Sequence, residues 1–191
     1  MTLPPGIREK LVLAGTARLA AALARRGQQP PPLAGLRPLS PHQEPFAGRA
    51  AVGIAACARG DVLVLSEAAK AIPLALLARR RIAGVVSAVP LRNAAELVRT
   101  GLPAWHLPAG APSPSALPVT AGDVVVADRD GVLALPASLA GTLADEVEET
   151  LAYEEFVAEQ VSAGGGVYGL HIPSGEQARR AFAEWRRLKG R

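Results

Sequence analysis

The sequence predicts an α/β fold, and three observations carry that prediction. Short aliphatic runs, Asp61-Val-Leu-Val-Leu65, Gly84-Val-Val-Ser-Ala-Val89 and Val124-Val-Val-Ala127, alternate with segments whose apolar residues recur at helical spacing. The runs 124–127 and 132–135 flank Asp128-Arg-Asp-Gly131, a hairpin turn sequence. The 191 residues, 49% apolar and 20% charged, suffice to bury a core and exclude wholesale disorder.

Taken in order, residues 7–26 predict a helix, because Ile7, Leu11, Ala14, Leu19, Ala22 and Leu23 share one face and Gly27 can end it. The next stretch, QQPPPLAGLRPLSPHQEP, is polar and proline-rich and predicts an extended surface arm without regular structure. Residues 50–58 are small and read as a short helix. Strands follow at 61–65 and 84–89, separated by a helix over 74–81 whose three terminal arginines suit its negative end. A short helix over 94–99 closes at Gly101, and a strand over 104–107 precedes a Pro/Ser/Ala loop. Beyond Pro136, Leu139, Leu143, Val147 and Leu151 recur every fourth residue, a long amphipathic helix that Gly164-Gly-Gly166 stops. A last helix starts at Ser174, with Gln177 as its capping-box partner, and runs to about Arg187. The expected organisation is one domain over 1–191. Its parts are an N-terminal helix and arm (1–49), an α/β core (50–136) and a C-terminal helical segment (137–191).

Composition excludes several classes. Every apolar run is too short to span a membrane. The opening MTLPPGIREK lacks the basic-then-apolar order of a signal peptide, so a cytoplasmic location is expected. One cysteine, Cys57, makes neither an internal disulfide nor a cysteine zinc site. Seven of the 17 acidic residues fall within 138–161, where no lysine or arginine occurs, so the remainder sets 21 basic residues against ten acidic ones. That split predicts complementarity within the chain or between copies as readily as a nucleic-acid surface. Aromatics are 4%, too few for base-stacking platforms, and the arginine clusters fall mostly at predicted helix ends. Nucleic acid is therefore not the expected partner.

Candidate chemistry is sparse. Asp128-Arg-Asp130-Gly131 lacks the twelfth-position glutamate of a calcium loop, where Leu139 stands, so a hairpin turn accounts for it better. Cys57 lies among small residues and reads as a buried hydrophobe. His42, His106 and His171 share no ligand spacing, and only His106, ending a strand beside Trp105, is placed where a pocket opens. Lys70, with Glu67 three residues earlier, follows the first buried strand, where α/β active sites lie. A solvated loop lysine and a structural histidine account for these residues more simply.

Three segments together resemble the RraA-like family, which includes 4-hydroxy-4-methyl-2-oxoglutarate aldolases and the ribonuclease E regulator and was long misnamed demethylmenaquinone methyltransferase. Gly84-Val-Val-Ser-Ala-Val-Pro-Leu-Arg92-Asn93 with AAELVRTGLPAW resembles the family's strand, Arg-Asp pair, helix and turn. AGDVVVADRDGVLALP resembles its hairpin, and residues 155–185 resemble the tail of longer members. The resemblance implies a layered α/β/β swivelling-type domain, assembled as trimers or hexamers with sites between subunits. It also implies Mg²⁺ or Mn²⁺ held through the aspartate of the pair. The arginine and the metal would polarise a 2-oxo acid towards a pyruvate enolate, and a helix N-terminus of pattern Gly-Asp/Glu-Leu-Leu would receive its carboxylate.

This sequence departs at those points. Arg92 matches, but Asn93 replaces the aspartate, and an amide brings no negative charge to a hard cation. The anion-binding element falls on Lys70-Ala71-Ile72-Pro73, where Ala71 replaces the acid and Pro73 lacks an N–H. The resemblance thus implies lost metal affinity and no required cofactor. The first reading is a repurposed, metal-independent lyase or isomerase-type enzyme, acting on an acidic or carbonyl compound in a biosynthetic setting. In it Arg92 clamps the ligand beside Asn93, Ala71 and Ile72, and Lys70, Glu67 or His106 supplies acid–base chemistry. The second is a non-catalytic regulator of the ribonuclease-regulator kind. The third is a weak 4-hydroxy-4-methyl-2-oxoglutarate aldolase or oxaloacetate decarboxylase.

Overall fold

Seven strands form one curled sheet in the order β1-β5-β4-β3-β2-β6-β7 in the computed structural model, which describes residues 2–29, 33–66, 77, 79–92, 94–112, 117–165 and 175–190. The strands are β1 (Arg37–Pro38), β2 (Phe46–Val52), β3 (Val62–Leu65), β4 (Gly84–Ser87), β5 (Ala104–His106), β6 (Val124–Asp128) and β7 (Gly131–Leu135). β2, β3, β4 and β5 run parallel, while β1 joins β5, and β6 joins both β2 and β7, antiparallel. The helices are α1 (Pro5–Arg25), α2 (Ala94–Arg99), α3 (Ala140–Ser162) and α4 (Glu176–Lys189). The chain divides into two compact units, Met1–Ala144 and Asp145–Arg191.

In the first unit, period-two alternation sorts the side chains to two faces. Phe46, Ala50, Val62, Val64, Val86, Trp105, Val125 and Ala127 share the inner face with Leu33, Leu36, Leu107 and Leu117. On the outer face Leu63, Leu65, Val85 and Ala104 pack with Leu77, Ile82, Leu91 and Leu97. α1 lies against β6, β2 and β7. Helices over one face of a sheet that curls on itself give the layered α/β/β arrangement. Gly84 opens β4 because the Phe46 ring occupies the space of a side chain there, 2.6 Å from where a Cβ would stand.

In the second unit the rest of α3 and all of α4 enclose Tyr153, Phe156, Phe182 and Trp185, with neighbouring ring centroids 5.2–5.9 Å apart. Glu159 accepts hydrogen bonds from Trp185 Nε1 at 2.8 Å and Lys189 Nζ at 2.6 Å, so one carboxylate of the acidic helix is matched within its own unit. Gly190 ends α4 in the left-handed conformation behind Arg186, Arg187 and Lys189.

Several expectations need correction. Residues 50–58 are not a helix. Ala50, Ala51 and Val52 complete β2, pairing with Val62, Leu63 and Val64, and only Ile54–Ala56 forms a 3-10 turn. The arm is not wholly irregular, since Arg37 and Pro38 pair with His106 and Trp105, and β2 begins within it at Phe46. α1 breaks at Gly15 (φ 75, ψ 160), a conformation essentially reserved for glycine. There Asp128, from the β6–β7 turn, accepts hydrogen bonds from Thr16 N at 2.6 Å and Thr16 Oγ1 at 2.7 Å, capping the second half of the helix. α4 starts after Gly175 with no side-chain cap, so Gln177 is no capping-box partner, and Ser174 lies outside the described residues. Arg80 is not a solvated helix end, because it donates to the Ile54 and Cys57 carbonyls and ties down the 3-10 turn. Of the helix expected over 74–81, Leu77, Arg79 and Arg80 are helical and most of the rest lies outside the described residues.

Candidate functional site

The parallel strands β3, β4 and β5 end side by side, which is where open α/β sheets bind ligands. Their register aligns Leu65 with Ser87 and Ser87 with His106, and β1 sets Arg37 opposite His106. Directly opposed residues share a face, so Arg37, His106, Ser87 and Leu65 form one row across four strands. The row lies on the outer face, because Val85 and Ala104, two residues before Ser87 and His106, pack there, as does Leu39, two residues after Arg37. After Ser87 the chain turns through Leu91, buried on the same face, to Arg92, immediately before α2.

Ser87 is fully buried, donates to the Val89 carbonyl at 2.8 Å and accepts from Val89 N at 3.3 Å. Its hydroxyl is thereby committed to the turn and makes no nucleophile–base pair with His106. His106 is half-buried, with Nδ1 3.1 Å from the Leu107 carbonyl oxygen. Burial lowers its pKa below the ordinary imidazole value, against a smaller raising effect from that carbonyl. Arg92 is exposed and has no hydrogen-bond or ion-pair partner among the described residues. It makes no ion pair with Glu96, the acid in the first turn of α2. Glu67, Lys70, Ala71, Ile72 and Asn93 lie outside the described residues.

Sequence reasoning missed Arg37. It sits in the proline-rich arm, next to Pro38, and only its pairing with β5 places it beside His106. Cys57 is 4% exposed, and its thiol is pushed up to about 11 by burial first and Asp61 second, with Arg80 opposing. That is the condition of an unreactive thiol. A groove of about 470 Å³ lined by Gly15, Arg18, His42, Asp128, Arg129 and Asp130 contains none of the candidate residues, and its Asp128 is engaged by Thr16 and the turn amides.

Among the described residues at the strand ends, Ser66, Ser87, Arg92 and His106 bring no carboxylate to a hard divalent cation. In the sequence, positions 71 and 93 are alanine and asparagine, and the nearest acid, Glu67, lies outside the described residues. Among the described residues no group of three His, Cys, Asp or Glu side chains is placed to hold a metal. None of the described helices is long and apolar enough to cross a membrane.

A layered α/β/β domain built on a mixed seven-stranded sheet is a known fold, and comparison of structures identifies it. Streptomyces coelicolor RraAS2, an unusual member of the RNase ES inhibitor RraA protein family, matches with a TM-score of 0.65 and 22% identity over 81% of this chain and 96% of its own. An uncharacterized protein from Pseudomonas syringae pv. tomato str. DC3000 matches with a TM-score of 0.67 and 19% identity over 93% and 94%. A structure reported among novel cellulases from microbes associated with the gut ecosystem matches with a TM-score of 0.66 and 14% identity over 79% and 86%. No family model matches the chain by sequence, and no curated protein does. The likeness is one of fold: the chain has the RraA-like fold.

Proposed function

We propose that the protein binds a small carboxylate or oxo acid at the C-terminal ends of β3, β4 and β5, and acts on it as a metal-independent lyase or isomerase. The observation that supports this reading is Arg92, exposed at the turn after β4 with no described partner and no pair with Glu96. A guanidinium offers a planar two-point fork for a carboxylate, which lysine does not reproduce. The absence of carboxylates at positions 71 and 93 leaves the ligand as the natural counter-charge and argues against a bound Mg²⁺ or Mn²⁺. The reading includes a cytoplasmic homo-oligomer, trimeric or hexameric, in which a neighbouring copy covers the exposed arginine. Lys70 and Glu67 remain acid–base candidates by position in the sequence.

Calorimetric titration of pyruvate and oxaloacetate in the presence of EDTA tests it. Wild type should bind, and Arg92→Ala and Arg92→Lys should weaken binding about tenfold or more, as loss of a charge-assisted pair does. Equal binding by all three proteins removes the clamp. Mg²⁺-dependent release of pyruvate from 4-hydroxy-4-methyl-2-oxoglutarate at ~1 s⁻¹ or faster would instead favour the metal-dependent aldolase.

A second reading, a non-catalytic regulator, is favoured by the likeness to RraAS2, which extends over 96% of that chain. No oxo-acid binding by any of the three proteins, together with co-purification of a ribonuclease, would favour it.

A further inference from the structure

We propose that His106 is the proton acceptor of this site, working through Nε2. The inference rests on the oxo-acid reading of Arg92 and adds the group that exchanges a proton with the bound ligand. It follows from the contact between Nδ1 and the Leu107 carbonyl at 3.1 Å. A carbonyl oxygen only accepts hydrogen bonds, so this contact is one only when Nδ1 carries the proton. In the neutral ring Nε2 is then bare, and the backbone just after β5 holds the ring in that tautomer.

The surroundings leave Nε2 for an external donor. Ser87, the neighbour on β4, spends its hydroxyl on Val89. Arg37, the neighbour on β1, offers a cation and no base. The charged residues of α2, Glu96 and Arg99, are exposed. Among the described residues nothing hydrogen-bonds Nε2. Burial keeps the ring neutral near pH 7, so the base is present in its working form.

With an oxo acid held by its carboxylate, the proton that His106 would take is the acidic C–H beside the carbonyl. For pyruvate the step breaks a C3–H bond and sends its electron pair into the C2 carbonyl as an enolate. The proton passes to Nε2, giving the imidazolium. Reversal returns a proton to C3 with no net change, and in D2O the ring exchanges with solvent first and returns a deuteron.

Loss of the pyruvate methyl signal, followed by proton NMR in D2O with EDTA and the full chain, reads this step. Pyruvate affinity is measured in the same buffer. Wild type should accelerate exchange over buffer, and His106→Asn should slow it about 100-fold or more. Asparagine places an amide donor where Nδ1 stood, so the Leu107 contact and the melting midpoint should persist in that variant; His106→Gln is the second substitution. Exchange at the wild-type rate in either variant overturns the proposal. So does loss of exchange in Lys70→Met with retention in His106→Asn. Arg92-dependent pyruvate binding by wild type with no acceleration overturns the role of His106 and leaves the clamp standing. Absence of pyruvate binding overturns both.

Discussion

In the sheet unit, small and aliphatic residues pack at close backbone approach: Ala50 and Ala51 on β2 face Val62 and Leu63 on β3, and the Phe46 ring lies where a side chain at residue 84 would be. In the helical unit, Tyr153, Phe156, Phe182 and Trp185 fill the space between α3 and α4 with rings. The sheet is therefore intolerant of added atoms at its glycines, where neighbours cannot retreat. The helical pair is intolerant of lost atoms, because four side chains carry most of what it buries. Fold and candidate chemistry both reside in the first kind of packing.

The largest expected effect lies in the helical unit. Phe156→Ala should cost about 3–5 kcal/mol of that unit's stability. Urea titration followed by Trp185 fluorescence in a Trp105→Phe background reads it, with amide protection in β3 and β4 unchanged. Equal loss of protection in the strands would erase the contrast and make the two units one cooperative block.

Gly15→Ala tests the sheet unit at the break in α1. Alanine must adopt φ 75, ψ 160, and its Cβ would stand 2.9 Å from Asp128 Oδ2. We expect a loss of about 1–3 kcal/mol in a urea titration. In a double-mutant cycle the cost of Asp128→Ala should shrink once Gly15 is replaced, leaving the part due to its bonds from the Asp130 and Gly131 amides.

Cys57 supplies a pH test of the same packing. Its folded pKa of about 11 exceeds the ordinary 9.0, so the folded state favours the neutral thiol. This contribution is complete below pH 9 and is lost as pH rises towards 11. The difference in stability between wild type and Cys57→Ala should shrink over that window. A constant difference would place the thiol in contact with water.

The smallest effect should come from the surface of the helical unit. Lys189→Ala removes a pair whose side chains are 43% and 40% exposed, and should cost less than about 1 kcal/mol, decreasing with salt. A larger loss would give charge a share in a unit that rings hold together.

The same contrast governs what was legible in the sequence. β3 and β4 were readable because unbroken aliphatic runs have few alternatives to a buried strand. β2 was not, since Phe-Ala-Gly-Arg-Ala-Ala-Val has little strand preference of its own and is extended because Val125 and Val62 flank it. The break in α1 was invisible because Gly15 falls inside a helical period, and its cause, Asp128, lies 112 residues away. His106 could be singled out because a strand end can be read locally, and Arg92 because it stands where the resembling family has its Arg-Asp pair. Arg37 was hidden because only pairing with β5 gives it a neighbour.

The bond between Thr16 and Asp128 also orders events in time. A chain made from its N-terminus exposes residues 16–25 long before the carboxylate that caps them, and the 112 residues from Thr16 to Asp128 take on the order of 10 s to synthesise. Throughout that interval the second half of α1 is a short helical segment with an uncapped start, too short to persist alone in water. Its apolar side, Leu19, Ala22 and Leu23, lacks its full cover until β6 and β7 have left the ribosome. The first helix in the sequence is thus among the last to be secured, and a nascent chain stalled before Asp128 should hold a sticky N-terminus that a chaperone can read.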